Sequence, residues 1–114
     1  MRYILSLAFH FLIIWDSQVH AQTLKIDSLI ETLKRVDISD HERIDLSNAI
    51  AREYSHWMDS MSTFMYSQQA IEWSNKIDYD IGLIDALGIR GHFHLQRGNL
   101  NQSKNHFNQV ISRS

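Results

Sequence analysis

One pattern of small and large residues occurs twice in this chain of 114 residues, and the second copy begins 40 residues after the first. Ala51 is followed by Tyr54 in the first copy, and Gly91 is followed by His94 in the second. The full pattern comprises Ala51, Tyr54, Thr63 and Ala70, and then Leu87, Gly91, His94, Gly98, Ser103, Phe107 and Val110. Small residues let two helices approach closely, while larger residues fill the space between them. The pattern therefore predicts two successive helical hairpins, at about residues 40–79 and 80–113.

The composition favours helices throughout. The chain contains no proline and only four glycines, which permits long uninterrupted helices. Apolar residues recur at helical spacing, as from Ile26 to Leu33, and no stretch alternates strictly between apolar and polar residues as a strand would. We predict an all-α fold with five helices, at about residues 24–36, 39–58, 60–77, 81–96 and 100–113.

Capping residues mark where these helices begin and end. Ser39 and Glu42 have the spacing of a capping box, in which the serine accepts from a backbone NH of the first turn. Asp59 is placed to cap the third helix, and Asn99 the fifth. Gly98 ends the fourth helix, because glycine tolerates the left-handed conformation found at helix ends.

The N-terminus has the three-part pattern of a secretory signal peptide. Arg2 precedes an apolar run at residues 3–15, and Val19-His20-Ala21 ends in a small residue. The run is too short to span a bilayer comfortably, since a spanning helix needs about 20 apolar residues. We predict cleavage after Ala21, with an uncleaved anchor or a buried helix as the alternatives. The chain then divides into a signal peptide at 1–21, an N-terminal helix and link at 22–38, and the two hairpins at 39–114.

The repeated pattern resembles the tetratricopeptide repeat (TPR) family, over residues 40 to 113. Three positions depart from the family pattern: His94 replaces an aromatic residue, Met58 a turn glycine and Arg90 a leucine. The spacing of 40 residues also exceeds the family's typical value of about 34. The resemblance implies a short α-solenoid that binds a protein or peptide and has no catalytic residues. A plain five-helix bundle is the alternative fold.

The resemblance also implies where a partner binds. In this family the first helix of each hairpin lines a groove for a peptide. The matching positions in this chain are Asp45, Asn48, Arg52 and His56 in the first hairpin, and Asp85, Gly88, His92 and Gln96 in the second. A face that only contacts solvent is the alternative interpretation, since charged stripes on helices usually face water.

Other kinds of function find little support in the residues. The net charge is −2 and no basic run is present, which disfavours nucleic-acid binding. We expect no cofactor and no metal, although a small metal-assisted hydrolase using His92, His94 and His106 is an alternative. Zinc sites normally need three or four converging ligands, and His92 and His94 point about 200° apart on a helix. The aromatic residues Phe64, Tyr66, Trp57 and Trp73 are expected in the core.

These observations lead to an expected role outside the cytoplasm. The chain is expected to be a periplasmic or extracellular protein-interaction module, with no membrane-spanning helix within 22–114. Its opening resembles exported proteins of the Bacteroidetes bacteria, which implies the sensory front piece of a TPR-containing histidine kinase or regulator. The alternative is a self-standing exported adaptor that oligomerises. Phe107, Val110 and Ile111 on the C-terminal helix are expected to be partly uncovered, which favours self-association there.

Overall fold

The computed structural model describes residues 24–113, and these form five helices without a strand. The helices are α1 at residues 24–33, α2 Asp40–His56, α3 Ser60–Ile77, α4 Asp80–Gln96 and α5 Leu100–Arg113. The predicted all-α class is confirmed. The predicted signal peptide lies outside the described residues.

The first helix ends before residue 36, where the sequence predicted its end. The Arg43 guanidinium donates hydrogen bonds to the carbonyl oxygens of Leu33 and Arg35, at 3.1 and 3.2 Å. These carbonyls lie at and just beyond the C-terminus of α1, where no following helical NH is available. Arg43 of α2 thus satisfies the carbonyl groups at the end of α1 and allows the chain to turn there.

The central element of the fold is α4. It contacts α2, α3 and α5, and α2 also packs against α3. A buried cluster of Ile44, Ala70 and Ala86 joins α2, α3 and α4, with Ile71, Trp73, Ile77 and Tyr79 packed around it. Among α2–α5, the last helix contacts only α4.

The two turns that close the hairpins have matching hydrogen bonds. The Asp59 NH donates to the Tyr54 carbonyl at 3.1 Å, and 40 residues later the Asn99 NH donates to the His94 carbonyl at 2.8 Å. Both turns contain one residue in the left-handed region, Met58 with φ 58° and Gly98 with φ 79°. These are the features of a Schellman turn, and the glycine predicted at the second turn has the expected conformation.

The predicted caps of α2 and α3 are confirmed. Ser39 Oγ accepts from the Glu42 NH at 3.1 Å, and Asp59 Oδ1 accepts from the Ser62 NH at 3.1 Å. Asp78 ends α3 in the left-handed conformation, with φ 55°. Asp80 directly follows this turn and is the first residue of α4.

Close packing of the helices depends on two glycines of α4. A Cβ atom on Gly82 would lie 2.5 Å from Ile44 Cγ2 and 2.6 Å from Ser74 Oγ. A Cβ atom on Gly91 would lie 3.0 Å from Phe107 Cε1. Gly82 therefore sets the approach of α4 to the first hairpin, and Gly91 that of α5 to α4. The sequence pattern included Gly91 but missed Gly82.

Candidate functional site

An open groove of about 480 Å³ runs along the exposed side of α4, and we call it the α4 groove. Side chains of α2, α4 and α5 form its walls and floor. Its lining residues are Arg52, Ser55, His56, Ile84, Asp85, Gly88, Ile89, His92, Phe107 and Val110. The groove is large enough for several side chains of a bound polypeptide.

Four of the polar residues predicted to bind a partner lie together in this groove, and so does the predicted Gly88. They are Arg52 and His56 on α2, and Asp85 and His92 on α4. All four are exposed. Arg52 and His56 are four residues apart, and Asp85 and His92 are seven residues apart. These spacings place the two residues of each helix on one face of it.

Asn48 was predicted to line the groove, and this prediction is wrong. Its side chain is only 1% exposed, and its Nδ2 donates a buried hydrogen bond to the Gly82 carbonyl at 3.0 Å. It thus holds α4 against α2. The close approach that Gly82 permits is what covers Asn48, because a larger residue at 82 would keep the helices apart.

Two other predicted residues, Asp45 and Gln96, are exposed but lie outside the lining of the groove. Asp45 accepts a hydrogen bond from the Tyr79 hydroxyl at 3.0 Å. Burial, and then this carboxylate, raise the pKa of the Tyr79 phenol. Asp45 thus fastens the link before α4 to α2. Gln96 is the last residue of α4.

The floor of the groove is apolar and includes the predicted Gly88 together with three residues that the sequence did not assign to it, Ile84, Phe107 and Val110. Ile84 and Gly88 lie one turn apart on α4, while Phe107 and Val110 come from α5. No atom beyond its own helical turns lies within 4 Å of a Cβ built on Gly88, so the floor is hollow there. The apolar periodicity of α5 could have indicated these residues, but not that they meet Ile84.

The rim of the groove carries two opposite charges that form no ion pair within the described part of the chain. Arg52 stands on the α2 side and Asp85 on the α4 side. Within residues 24–113, neither takes part in an ion pair. Charges at the rim of an apolar groove are typical of protein interfaces, where they orient a partner around an apolar centre.

The three histidines of the hydrolase alternative do not converge. His94 stacks on His106 with ring centroids 5.3 Å apart and planes 2° apart, whereas His92 lies in the α4 groove. Within residues 24–113, no three histidine or carboxylate side chains are grouped as a metal site requires. His94 occupies the predicted aromatic core position and also packs on Phe64. His106 is half-buried against His94.

Burial lowers the pKa of both stacked histidines. Desolvation is the main cause at His94, followed by the nearby Arg90 and Arg97. At His106 desolvation again comes first, followed by the charge of His94 and of Arg90. The Nδ1 atoms of His94 and His106 are buried and lack a hydrogen-bond partner among the described residues. The folded protein therefore favours two neutral imidazoles.

Arg90, which departs from the family pattern, joins α4 to α3. Its Nε donates to Ser67 Oγ at 2.9 Å and its Nη2 to the Phe64 carbonyl at 3.1 Å. Burial lowers its pKa. Its guanidinium also lies over the Phe64 ring, 5.5 Å from the centroid. Arg90 thus partly buries its stem between the helices and binds α3 with its guanidinium.

Three of the aromatic residues expected in the core are partly buried, and one is not. Phe64 packs edge-on against Phe93, and Tyr66 stacks on Tyr54. Trp73 packs against the buried cluster. Trp57 is instead 38% exposed, because it lies in the turn after α2 rather than on an inward helix face.

No protein-family model, curated protein or solved structure matches this chain. Within residues 24–113, no helix is long and apolar enough to cross a membrane.

Proposed function

We propose that this chain is an exported protein-interaction module that binds a polypeptide in the α4 groove. The observation that carries the proposal is the groove's composition. Arg52, His56, Asp85 and His92 surround an apolar floor that is open to solvent. Such a floor provides affinity by excluding water, and the rim orients the partner.

The proposal includes a TPR-type arrangement of the two hairpins. It is supported by the identical lengths and the spacing of α2 and α4, Asp40–His56 and Asp80–Gln96. The matching turns at Met58 and Gly98 also support it. Further support comes from α4, which packs against both helices of the preceding hairpin. Repeats of this kind bury their faces by stacking on their neighbours.

The location outside the cytoplasm rests on the N-terminal sequence. The apolar run at residues 3–15 and the small residue Ala21 are the supporting features. A sensory front piece of a membrane kinase or regulator is the role we infer from the resemblance. In such a role, binding of a polypeptide in the groove would be the signal that the rest of the protein transmits.

A site-specific photo-cross-linker tests the binding proposal. It is placed at His92 in the groove and, as the matched control, at the exposed Asn105 of α5. In cells that export the chain, the position-92 variant should give a discrete adduct with a polypeptide, and the position-105 variant should not. The absence of an adduct, or the same adduct from both positions, contradicts the proposal.

A further inference from the structure

The helix α4 lies on a surface formed by α2 and α3. The second hairpin has an equivalent surface, and no helix of the described chain covers it. In the first hairpin this surface is formed by residues of α2 and α3 that are at most 1% exposed, namely Ile44, Asn48, Ser67 and Ala70. Asn48 and Ser67 bind α4 through the Gly82 carbonyl and the Arg90 guanidinium. The surface is thus a binding face for a helix.

The same positions in the second hairpin form the floor of the α4 groove. The residues 40 positions later are Ile84, Gly88, Phe107 and Val110, and all four line the groove. By this equivalence, the element that fits the groove is another α-helix. It would lie on α4 and α5 as α4 lies on α2 and α3.

The second surface is more apolar than the first. Gly88 stands where Asn48 stands in the first hairpin, so a buried polar side chain is missing and a hollow remains. Phe107 takes the place of Ser67, and its ring adds apolar area. The helix that docks here must therefore present an apolar stripe rather than hydrogen-bonding groups.

The chain itself carries such a stripe beside the groove. On α5, Leu100 and Ile111 are 64% and 71% exposed. Phe107 has the same helical spacing; it is half-buried against Gly91 and also lines the groove. The residues are seven and four positions apart, which is helical spacing. Only Ser103 of α5 is fully buried. A helix with an exposed apolar stripe next to a groove for a helix makes the surface self-complementary.

We propose that a second copy of this chain occupies the α4 groove, with the α5 helix of each copy docked in the groove of the other. This inference rests on the proposed function, because it names the partner of the same groove. Two such contacts are related by a two-fold axis and close the assembly as a dimer. Rim charges complete the interface: Arg52 of one protomer pairs with Asp85 of its partner, and the symmetry makes this pair twice.

Sedimentation of the full exported chain over a range of concentrations tests the dimer. Arg52→Asp and Asp85→Arg should each raise the dimer Kd by about tenfold or more, since each places like charges together. The double variant R52D/D85R should restore most of the affinity, because it re-forms both pairs in reverse. Lys76→Asp and Glu72→Arg, at exposed sites on α3, are the matched controls and should leave the Kd unchanged.

Gly88→Leu tests the shape of the interface independently of charge. Its Cβ meets no atom within 4 Å in the protomer, and its side chain would occupy the groove. It should raise the dimer Kd by about tenfold or more while the fold persists by circular dichroism. The matched control is Asn105→Leu, which adds the same side chain to an exposed position of α5.

Several results would overturn the inference. A chain that sediments as a monomer, or a dimer that neither Gly88→Leu nor the charge reversals weaken, excludes docking in the groove. If the position-92 cross-linker then captures a different polypeptide, the proposed function stands and the dimer falls. If the cross-linker captures neither a different polypeptide nor a second copy of this chain, both proposals fail.

Discussion

Asn48 Nδ2 donates a hydrogen bond to the Gly82 carbonyl oxygen over 3.0 Å, and this bond joins α2 to α4 inside the protein. It brings a polar side chain into contact with a helix that begins 32 residues further along the chain, at Asp80. The contact exists because Gly82 has no side chain to hold the two helices apart. The position of α4, and with it the α4 groove, depends on these two residues.

Removing the Asn48 side chain should destabilise the fold. Asn48→Ala loses a buried hydrogen bond and leaves space between α2 and α4, so we expect the free energy of unfolding to fall by about 1–3 kcal/mol. Urea unfolding followed by circular dichroism measures the change. Asn105→Ala on the exposed side of α5 is the control and should change stability little. Equal stability of the two variants would contradict the burial of Asn48.

The same substitution at two glycines of α4 should have opposite effects. Gly82→Ala places a Cβ within 2.5 Å of Ile44, and we expect it to cost about 1–3 kcal/mol as overpacking. Gly88→Ala places it in open space, and we expect a gain of about 1 kcal/mol from helix propensity. Thermal unfolding of both variants is the measurement. A loss at position 88 as large as that at 82, measured on protein dilute enough to be monomeric, would mean that the groove of the single chain is already filled.

The two hairpin turns predict a second pair of opposite effects. Met58 has φ 58°, which is unfavourable for a side chain with a Cβ, whereas Gly98 adopts φ 79° without that cost. We expect Met58→Gly to stabilise the protein by about 0.5–1 kcal/mol, and Gly98→Ala to destabilise it by about 1 kcal/mol. Chemical unfolding of each variant provides the test. If Met58→Gly is destabilising, the left-handed turn at residue 58 is wrong.

Stability should decrease in mild acid because of the stacked histidines. The folded state lowers the pKa of His94 and of His106, so below the usual histidine pKa of about 6.5 the unfolded chain binds more protons than the folded one. The stability that comes from keeping the two histidines neutral is fully present above that pH. It is lost as the pH falls towards their lowered pKa values. Unfolding measured from pH 7.5 to pH 5 should show this loss.

Variants assign the pH dependence to the pair. Replacing both residues, His94→Phe with His106→Phe, should flatten the stability profile across this range. His92→Asn, at an exposed groove position, should leave the profile as it is. If the double variant keeps the same loss of stability in acid, other groups are responsible.

The predicted signal-peptide cleavage can be tested directly on protein purified from cells that express the whole chain. The secreted or periplasmic product should begin at Gln22, because Val19-His20-Ala21 has the pattern of a signal-peptidase site. Mass spectrometry of the purified product gives its first residue. Ala21→Arg should block cleavage there. An exported product that still begins at Met1 would exclude cleavage.

Features set by neighbouring residues could be predicted from the sequence. The caps at Ser39 and Asp59 each depend on an NH three residues away, and the turn at Gly98 depends on one conformation. Arg52 and His56 could be placed on one face because their spacing is one helical turn. Such patterns need no knowledge of the tertiary structure.

Features set by distant contacts could not be predicted in this way. Asn48 is polar and shares the spacing of Arg52, so only the position of α4 reveals that it is buried. Gly82 differs from Gly88 only in what faces it. Phe107 was assigned to packing, but its place in the groove depends on how α5 lies against α4.

The central claim is that the α4 groove binds a polypeptide, and blocking the groove tests it most directly. The photo-cross-linker is placed at His56 on the α2 wall, in the wild-type chain and in the Gly88→Leu variant. We predict an adduct with the wild-type chain and its loss with Gly88→Leu, while both proteins remain folded and exported. An adduct of equal yield from both chains would contradict the claim, since the polypeptide would then bind without entering the groove.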